Sequence, residues 1–213
     1  MISAVLWDFG GVITSSPFEA FNRYESTHKL PIDFIRSINA TNPESNAWAL
    51  LESSQISIQE FDEKFATEAQ AKGHEVRGRD VLALLSGELR PGMVSALKII
   101  KQHMKIGCIT NNINTGEGAS MAKDPARAAV MDDVLALFDV VIESSKVGIR
   151  KPDPRIYQLA CNEIGVPPKN AAFLDDLGIN LKPARKLGMS TIKVLSADQA
   201  LTDLEVLLKF SLR

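Results

Sequence analysis

Apolar residues are not spread evenly along this chain but gather into short, mainly apolar runs at residues 4–7, 105–110, 138–143, 171–174 and 191–194. These runs lack the alternation of a half-exposed strand. They predict strands buried on both faces, as in a parallel sheet. The segments between them are long enough for helices, which makes the pattern βαβ and the fold class α/β: a Rossmann-like parallel sheet flanked by helices. Several helix ends are signalled locally. Ser16-Pro17-Phe18-Glu19 and Ser57-Ile58-Gln59-Glu60 have capping-box spacing, the first with Pro at its first helical position. Asp153-Pro154 opens another helix, which Gly165 closes.

The interval between the first two runs is too long for one crossover. It predicts a helical insertion, residues 15–90, rising from the carboxyl edge of strand one over a core made of residues 1–14 and 91–213. Phe18, Phe21, Trp48, Leu51, Phe61 and Phe65 are expected to form the insertion's own apolar centre. Gly116 and Gly118 read as loop glycines, and no Walker or GxGxxG pattern occurs.

Charge narrows the choice of partners. With 24 Lys and Arg against 26 Asp and Glu in 213 residues, no general attraction to nucleic acid or anionic lipid is expected, so the partner is a small solute. No stretch approaches the ~20 apolar residues that a membrane span requires. Cys108 and Cys161 lie in apolar surroundings without metal or redox spacing. They predict buried free thiols in a reducing, cytoplasmic setting.

Ligands of an open parallel sheet bind outside the carboxyl ends of its strands. Asp8 follows the first strand there, Thr110-Asn111-Asn112 the second, Arg150-Lys151-Pro152-Asp153 lies just beyond the third, and Asp175-Asp176 follows the fourth. Each taken alone is ordinary turn, cap or solvated-loop chemistry. Their order at successive strand ends points to phosphoryl transfer, in which anionic reagents must be positioned and neutralised. A carboxylate can attack phosphorus, and Asp8 and Asp176 can supply the oxygen ligands of a hard cation such as Mg²⁺. Lys151 and Thr110 can hold the remaining phosphoryl oxygens. Lys151→Ala is expected to weaken phosphate binding with little loss of thermal stability. His28, His74 and His103 stand away from the strand ends and read as solvated or capping residues.

These residues resemble the four motifs of the haloacid dehalogenase-like superfamily: Asp8, Thr110, Lys151 and Asp175-Asp176. The stretches FDVVIESSKVGIRKPDPRIY (residues 138–157) and FLDDLGINLKPARKLGM (residues 173–189) look especially like the N-terminal phosphatase domain of soluble epoxide hydrolases. The resemblance implies Asp8 as nucleophile and Mg²⁺ ligand, Asp176 as second carboxylate ligand, and the Gly10 carbonyl as a backbone ligand. It implies Thr110, Asn111 and Lys151 as phosphate binders, Asp175 and Asn180 as outer metal contacts, and the insertion as a cap. One departure stands out. Phosphatases of this superfamily usually carry Asp at the position of Gly10 as general acid and base, a contribution of ~10²–10⁴-fold. Three readings follow: a Mg²⁺-dependent phosphatase of small phosphorylated metabolites, weakened at Gly10; a metal-free 2-haloacid dehalogenase; or a catalytically silent phospholigand-binding protein.

Overall fold

The computed structural model describes residues 1–85, 87–113 and 125–213; Gly116 and Gly118 lie outside them. Five strands form one parallel sheet: β1 (Ala4–Trp7), β2 (Lys105–Thr110), β3 (Val140–Glu143), β4 (Ala171–Asp175) and β5 (Ser190–Lys193). Their spatial order is β3-β2-β1-β4-β5, with β1 at the centre. The strands fall where the apolar runs predict, apart from edges: β3 starts two residues later, β4 ends one residue later, and β5 starts and ends one residue earlier.

Each strand reads as continuously apolar because both sheet faces are covered. Val5, Trp7, Ile106, Cys108, Ala172 and Leu174 pack to one side, against α6 (Pro91–Lys101), α7 (Pro125–Leu135) and α11 (Ala197–Leu208). Ala4, Leu6, Ile109, Ala171 and Phe173 pack to the other, against α9 (Pro154–Ile164) and α10 (Gly178–Lys186). Asp153 caps α9 by accepting from the Arg155 amide at 2.9 Å, and Gly165 ends it in the left-handed region. Cys108 and Cys161 are buried and unpaired. The thiol of Cys161 is pushed up to about 11 by burial.

Between β1 and β2 the chain builds α1 (Pro17–Thr27), α2 (Phe34–Ala40), α3 (Ala47–Glu52), α4 (Ile58–Gln70) and α5 (Gly78–Leu82) before reaching α6. Ser57 and Glu60 close the expected capping box on α4. The insertion has its own apolar cluster, in which Phe21, Phe61 and Phe65 are fully buried and Phe18 and Trp48 partly so. Each buried phenylalanine contributes roughly 1.5–3 kcal/mol. Ile113, from the loop after β2, joins this cluster. The insertion leaves and re-enters the core side by side: Thr14 bridges Leu89, the Arg90 amide donates to the Ile13 carbonyl at 2.9 Å, and the Ser15 amide donates to the Glu88 carbonyl at 2.7 Å. No helix of the described residues is long and apolar enough to cross a membrane.

Candidate active site

Register carries the first two carboxylates to one spot. Trp7 pairs with Leu174, and the Asp8 amide donates to the Leu174 carbonyl at 2.8 Å, so Asp8 leaves the sheet level with Asp175. Lys151 enters from the loop between α8 (Ser144–Val147) and α9, and its Nζ lies 2.7 Å from Asp8 Oδ1 and 2.8 Å from Asp175 Oδ2. The lysine is 1% exposed, so it is not the solvated loop charge that its local sequence, taken alone, would suggest. A cation flanked by Pro and Arg gives no local sign that two buried carboxylates, one of them far along the sequence, close over it; its place beyond the third strand is what singles it out.

Asp175 is saturated. Its Oδ1 accepts from the Leu177 amide at 2.8 Å and from Asn180 Nδ2 at 3.0 Å, while Oδ2 accepts from Lys151 and from the same Asn180 nitrogen at 3.0 Å. The Asn180 carbonyl in turn accepts from the Tyr157 hydroxyl at 2.7 Å. Asp176 is held more lightly: its Oδ2 accepts from the Ser16 hydroxyl at 3.2 Å. Gly11, at φ +79°, makes the space for it, since a Cβ there would lie 2.3 Å from Asp176 Oδ2. Gly10 is different. Its backbone is outside the left-handed region and a Cβ would meet no atom within 4 Å.

One oxygen each of Asp8, Asp175 and Asp176 lies within 4.8 Å of the others, and the Lys151 ammonium pairs with two of them, Asp8 and Asp175. Burial pushes the Asp8 carboxyl well above its usual range; Lys151 opposes this, and Asp175 and Asp176 add to it. Burial would lower Lys151, but Asp175 and Asp8 outweigh it and hold the ammonium above the usual lysine range. Asp176 is pushed up to about 6, by burial first and the Asp175 charge second. The surplus of oxygen donors and negative charge fits a hard divalent cation. Asp8 and Asp176 are the carboxylates with capacity to spare, because Asp175 is already committed to Lys151, Asn180 and the Leu177 amide.

Thr110 is buried at the end of β2, beside β1. The Asn111 side chain grips the Lys151 backbone from both sides: its Oδ1 accepts from the Lys151 amide at 2.9 Å and its Nδ2 donates to the Lys151 carbonyl at 3.0 Å. Two contacts escaped the sequence reading. Ser16 does not form a reciprocal capping box with Glu19; its oxygen accepts from the Phe18 amide at 3.5 Å and its hydroxyl reaches Asp176. Glu52, at the end of α3, meets Arg150 and Asn111 from the insertion side. Neither has a local sequence signal beyond a polar residue at a helix end.

Comparison with known proteins gives a consistent answer. The family model for haloacid dehalogenase-like hydrolases matches residues 2–188. Acyl-CoA dehydrogenase family member 10 of Mus musculus is 33% identical over 98% of this chain, and bifunctional epoxide hydrolase 2 of the same species is 30% identical over 93% of it. The chain spans only 19% and 37% of those two proteins. A phosphatase of Mycobacterium tuberculosis is 31% identical over 88% of the chain and 85% of its own length. Among solved structures, a HAD family enzyme of Bacteroides thetaiotaomicron in complex with magnesium and inorganic phosphate shares the fold at TM-score 0.61 and 20% identity, over 91% of this chain and 94% of its own. The L-2-haloacid dehalogenase of Xanthobacter autotrophicus, with chloropropionic acid covalently bound, shares it at 0.62 and 20%, over 97% and 83%. With the family model covering most of its length, this chain belongs to the haloacid dehalogenase-like hydrolases.

Proposed function

We propose that this hydrolase is a Mg²⁺-dependent phosphatase of small phosphorylated metabolites, acting through an aspartyl-phosphate on Asp8, with residues 15–90 as the cap that selects the substrate. The observation that carries this reading is the cluster of Asp8, Asp175 and Asp176 at the strand ends, with a buried lysine paired to the first two. Such a site repels an anionic haloacid unless a cation offsets it, and suits a cation together with a phosphate. The phosphatase of Mycobacterium tuberculosis and the magnesium and phosphate complex of a neighbour in fold point the same way.

In this reading an Asp8 carboxylate oxygen attacks phosphorus, the ester P–O bond breaks, and the leaving oxygen takes its proton from solvent water. Water then attacks the acyl-phosphate, releasing inorganic phosphate and restoring the Asp8 carboxylate. Lys151 and Thr110 hold the phosphoryl oxygens with their side chains and Asn111 with its backbone amide, its side chain being committed to the Lys151 backbone. Asp8, Asp176 and the Gly10 carbonyl would hold Mg²⁺, with Asp175 and Asn180 outside them; when bound, the ion supplies the positive charge that lets carboxylate and phosphate approach. Asp175 fixes the place of Lys151. Gly10 offers no side chain to protonate the leaving group, so turnover falls as leaving-group basicity rises.

Release of p-nitrophenolate from p-nitrophenyl phosphate, measured with and without Mg²⁺ beside halide release from 2-chloropropionate, tests the proposal. Metal-dependent phosphate release is the expected result. Metal-free halide release would assign the dehalogenase chemistry instead, and silence in both assays would leave a phospholigand-binding protein.

A further inference from the structure

The insertion does more than stand near the phosphate-binding loop. Glu52 is 7% exposed, yet it is not an isolated buried charge. Its Oε1 accepts from Trp48 Nε1 at 2.9 Å, one helical turn back, and its Oε2 lies 2.7 Å from Arg150 Nη2 and 3.4 Å from Asn111 Nδ2. Arg150 also donates from Nη1 to the Pro43 carbonyl at 3.0 Å, so one guanidinium ties two points of the insertion to the residue just before Lys151. Asn111 completes the circuit through its paired hydrogen bonds to the Lys151 backbone. A second tie runs alongside, from the Ser54 hydroxyl to the Ser145 carbonyl at 2.8 Å.

We propose that Glu52 is a positioning residue: through Arg150 and Asn111 it clamps the Lys151 backbone, so that the ammonium stays between Asp8 and Asp175 only while the insertion is docked. The deduction rests on the phosphatase reading for its catalytic consequence, but not for the contact itself. Lys151 has a long, flexible stem, so the place of its ammonium depends on the anchoring of its main chain as well as on Asp8 and Asp175. A buried carboxylate is retained at a cost unless it is paired, and both partners of Glu52 beyond its own helix belong to the Lys151 loop or its anchor. Burial pushes the Glu52 carboxyl up, while Arg150 first, then the Trp48 hydrogen bond and the Lys151 charge, pull it back. Paired in this way, Glu52 acts through Arg150 and Asn111, and gives no proton to the reaction.

The test uses the full chain with Glu52→Ala, Arg150→Ala, Arg150→Lys and the double alanine variant. For p-nitrophenyl phosphate with Mg²⁺, each alanine variant is expected to lower kcat/KM by about 10–100-fold and to weaken inhibition by inorganic phosphate with it. The double variant should be no worse than the poorer single, because both cut the same link. Arg150→Lys keeps the charge but loses the fork, and should recover part of the loss. Amide hydrogen exchange of the peptide containing Lys151 supplies a readout that needs no activity. It should quicken at least ~10-fold in both alanine variants while β1 and β4 keep their protection. Unchanged exchange in a folded variant, or strictly additive kinetic losses, would overturn the proposal. If Glu52→Ala does not fold, Arg150→Ala probes the same link from its more exposed side. If the wild type leaves the phosphate ester untouched, the phosphatase reading falls, while the exchange data still decide whether Glu52 orders the loop.

Discussion

Two ion-paired carboxylates, one at the carboxyl edge of the sheet and one in the insertion, sit in opposite environments. Asp62, on α4, accepts from Arg77 Nε at 3.2 and 3.1 Å, is bridged by Arg77 Nη2, and accepts from the Arg79 amide at 2.9 Å. These donors outweigh its burial and hold its carboxyl below the usual range. Asp8 is also paired, but burial and two neighbouring carboxylates outweigh Lys151 and drive its carboxyl up. The first pair is a satisfied clamp that secures the insertion. The second leaves a surplus of negative charge, at the cost of stability, where the proposed chemistry needs an ion and a phosphate. Carboxylates perturbed by burial and like charge cluster at functional sites, which is why Asp8 and not Asp62 is the candidate here.

The contrast can be broken in four ways. Asp8→Asn should cut kcat for p-nitrophenyl phosphate on the order of 10⁴-fold or more, as loss of a nucleophile does, with the melting temperature unchanged or higher. Retained turnover, or a large fall in stability, would undo the assignment of Asp8 to the strained class. Lys151→Ala strands two buried carboxylates, and chemical denaturation should show a loss of about 3–5 kcal/mol. Here the structure reverses the expectation from sequence, which foresaw little change.

Gly10→Asp adds a carboxylate on the open side of the site, where neither backbone conformation nor neighbours oppose a side chain. It should raise the rate for alkyl phosphates by about 10²-fold and leave p-nitrophenyl phosphate nearly unaffected. Equal gains on both substrates would mean that the new group acts otherwise than as an acid. Asp62→Asn should cost about 1–2 kcal/mol at neutral pH, discounted for the exposure of Arg77. Because Asp62 is depressed when folded, its contribution is present above the unfolded carboxyl value near 4 and is lost as pH falls through the lower folded value. Denaturation curves of wild type and variant should therefore converge in acid. A constant gap would return the pair to mere packing.

The sheet was legible in the sequence because burial on both faces leaves an unbroken apolar run, which 4–7 and 171–174 display plainly. Helix ends were legible where a cap is satisfied locally, as at Ser57 with Glu60 and at Asp153. Ser16 shows where this logic stops. Its spacing to Glu19 fits a capping box, but a carboxylate 160 residues away takes its hydroxyl. Strand-end order brought Asp8, Lys151 and Asp175 to attention, since topology alone aligns those positions. Which carboxylate is saturated, which is strained, and which residue of the insertion grips the lysine loop all depend on side chains from separate elements converging in space. Glu52 leaves no trace of that in the residues around it.

The crossing at Thr14 and Leu89 gives the molecule a modular seam. Because the insertion begins and ends a hydrogen bond apart, its two junctions with the core lie at one place, outside the strand pairing that sets Asp8 level with Asp175. Transplants cut at this seam would test whether the insertion selects the substrate, as proposed. A donor segment that carries an acid at the position of Glu52 would retain the grip on the lysine loop, whereas one that lacks it would need Arg150 redesigned to match.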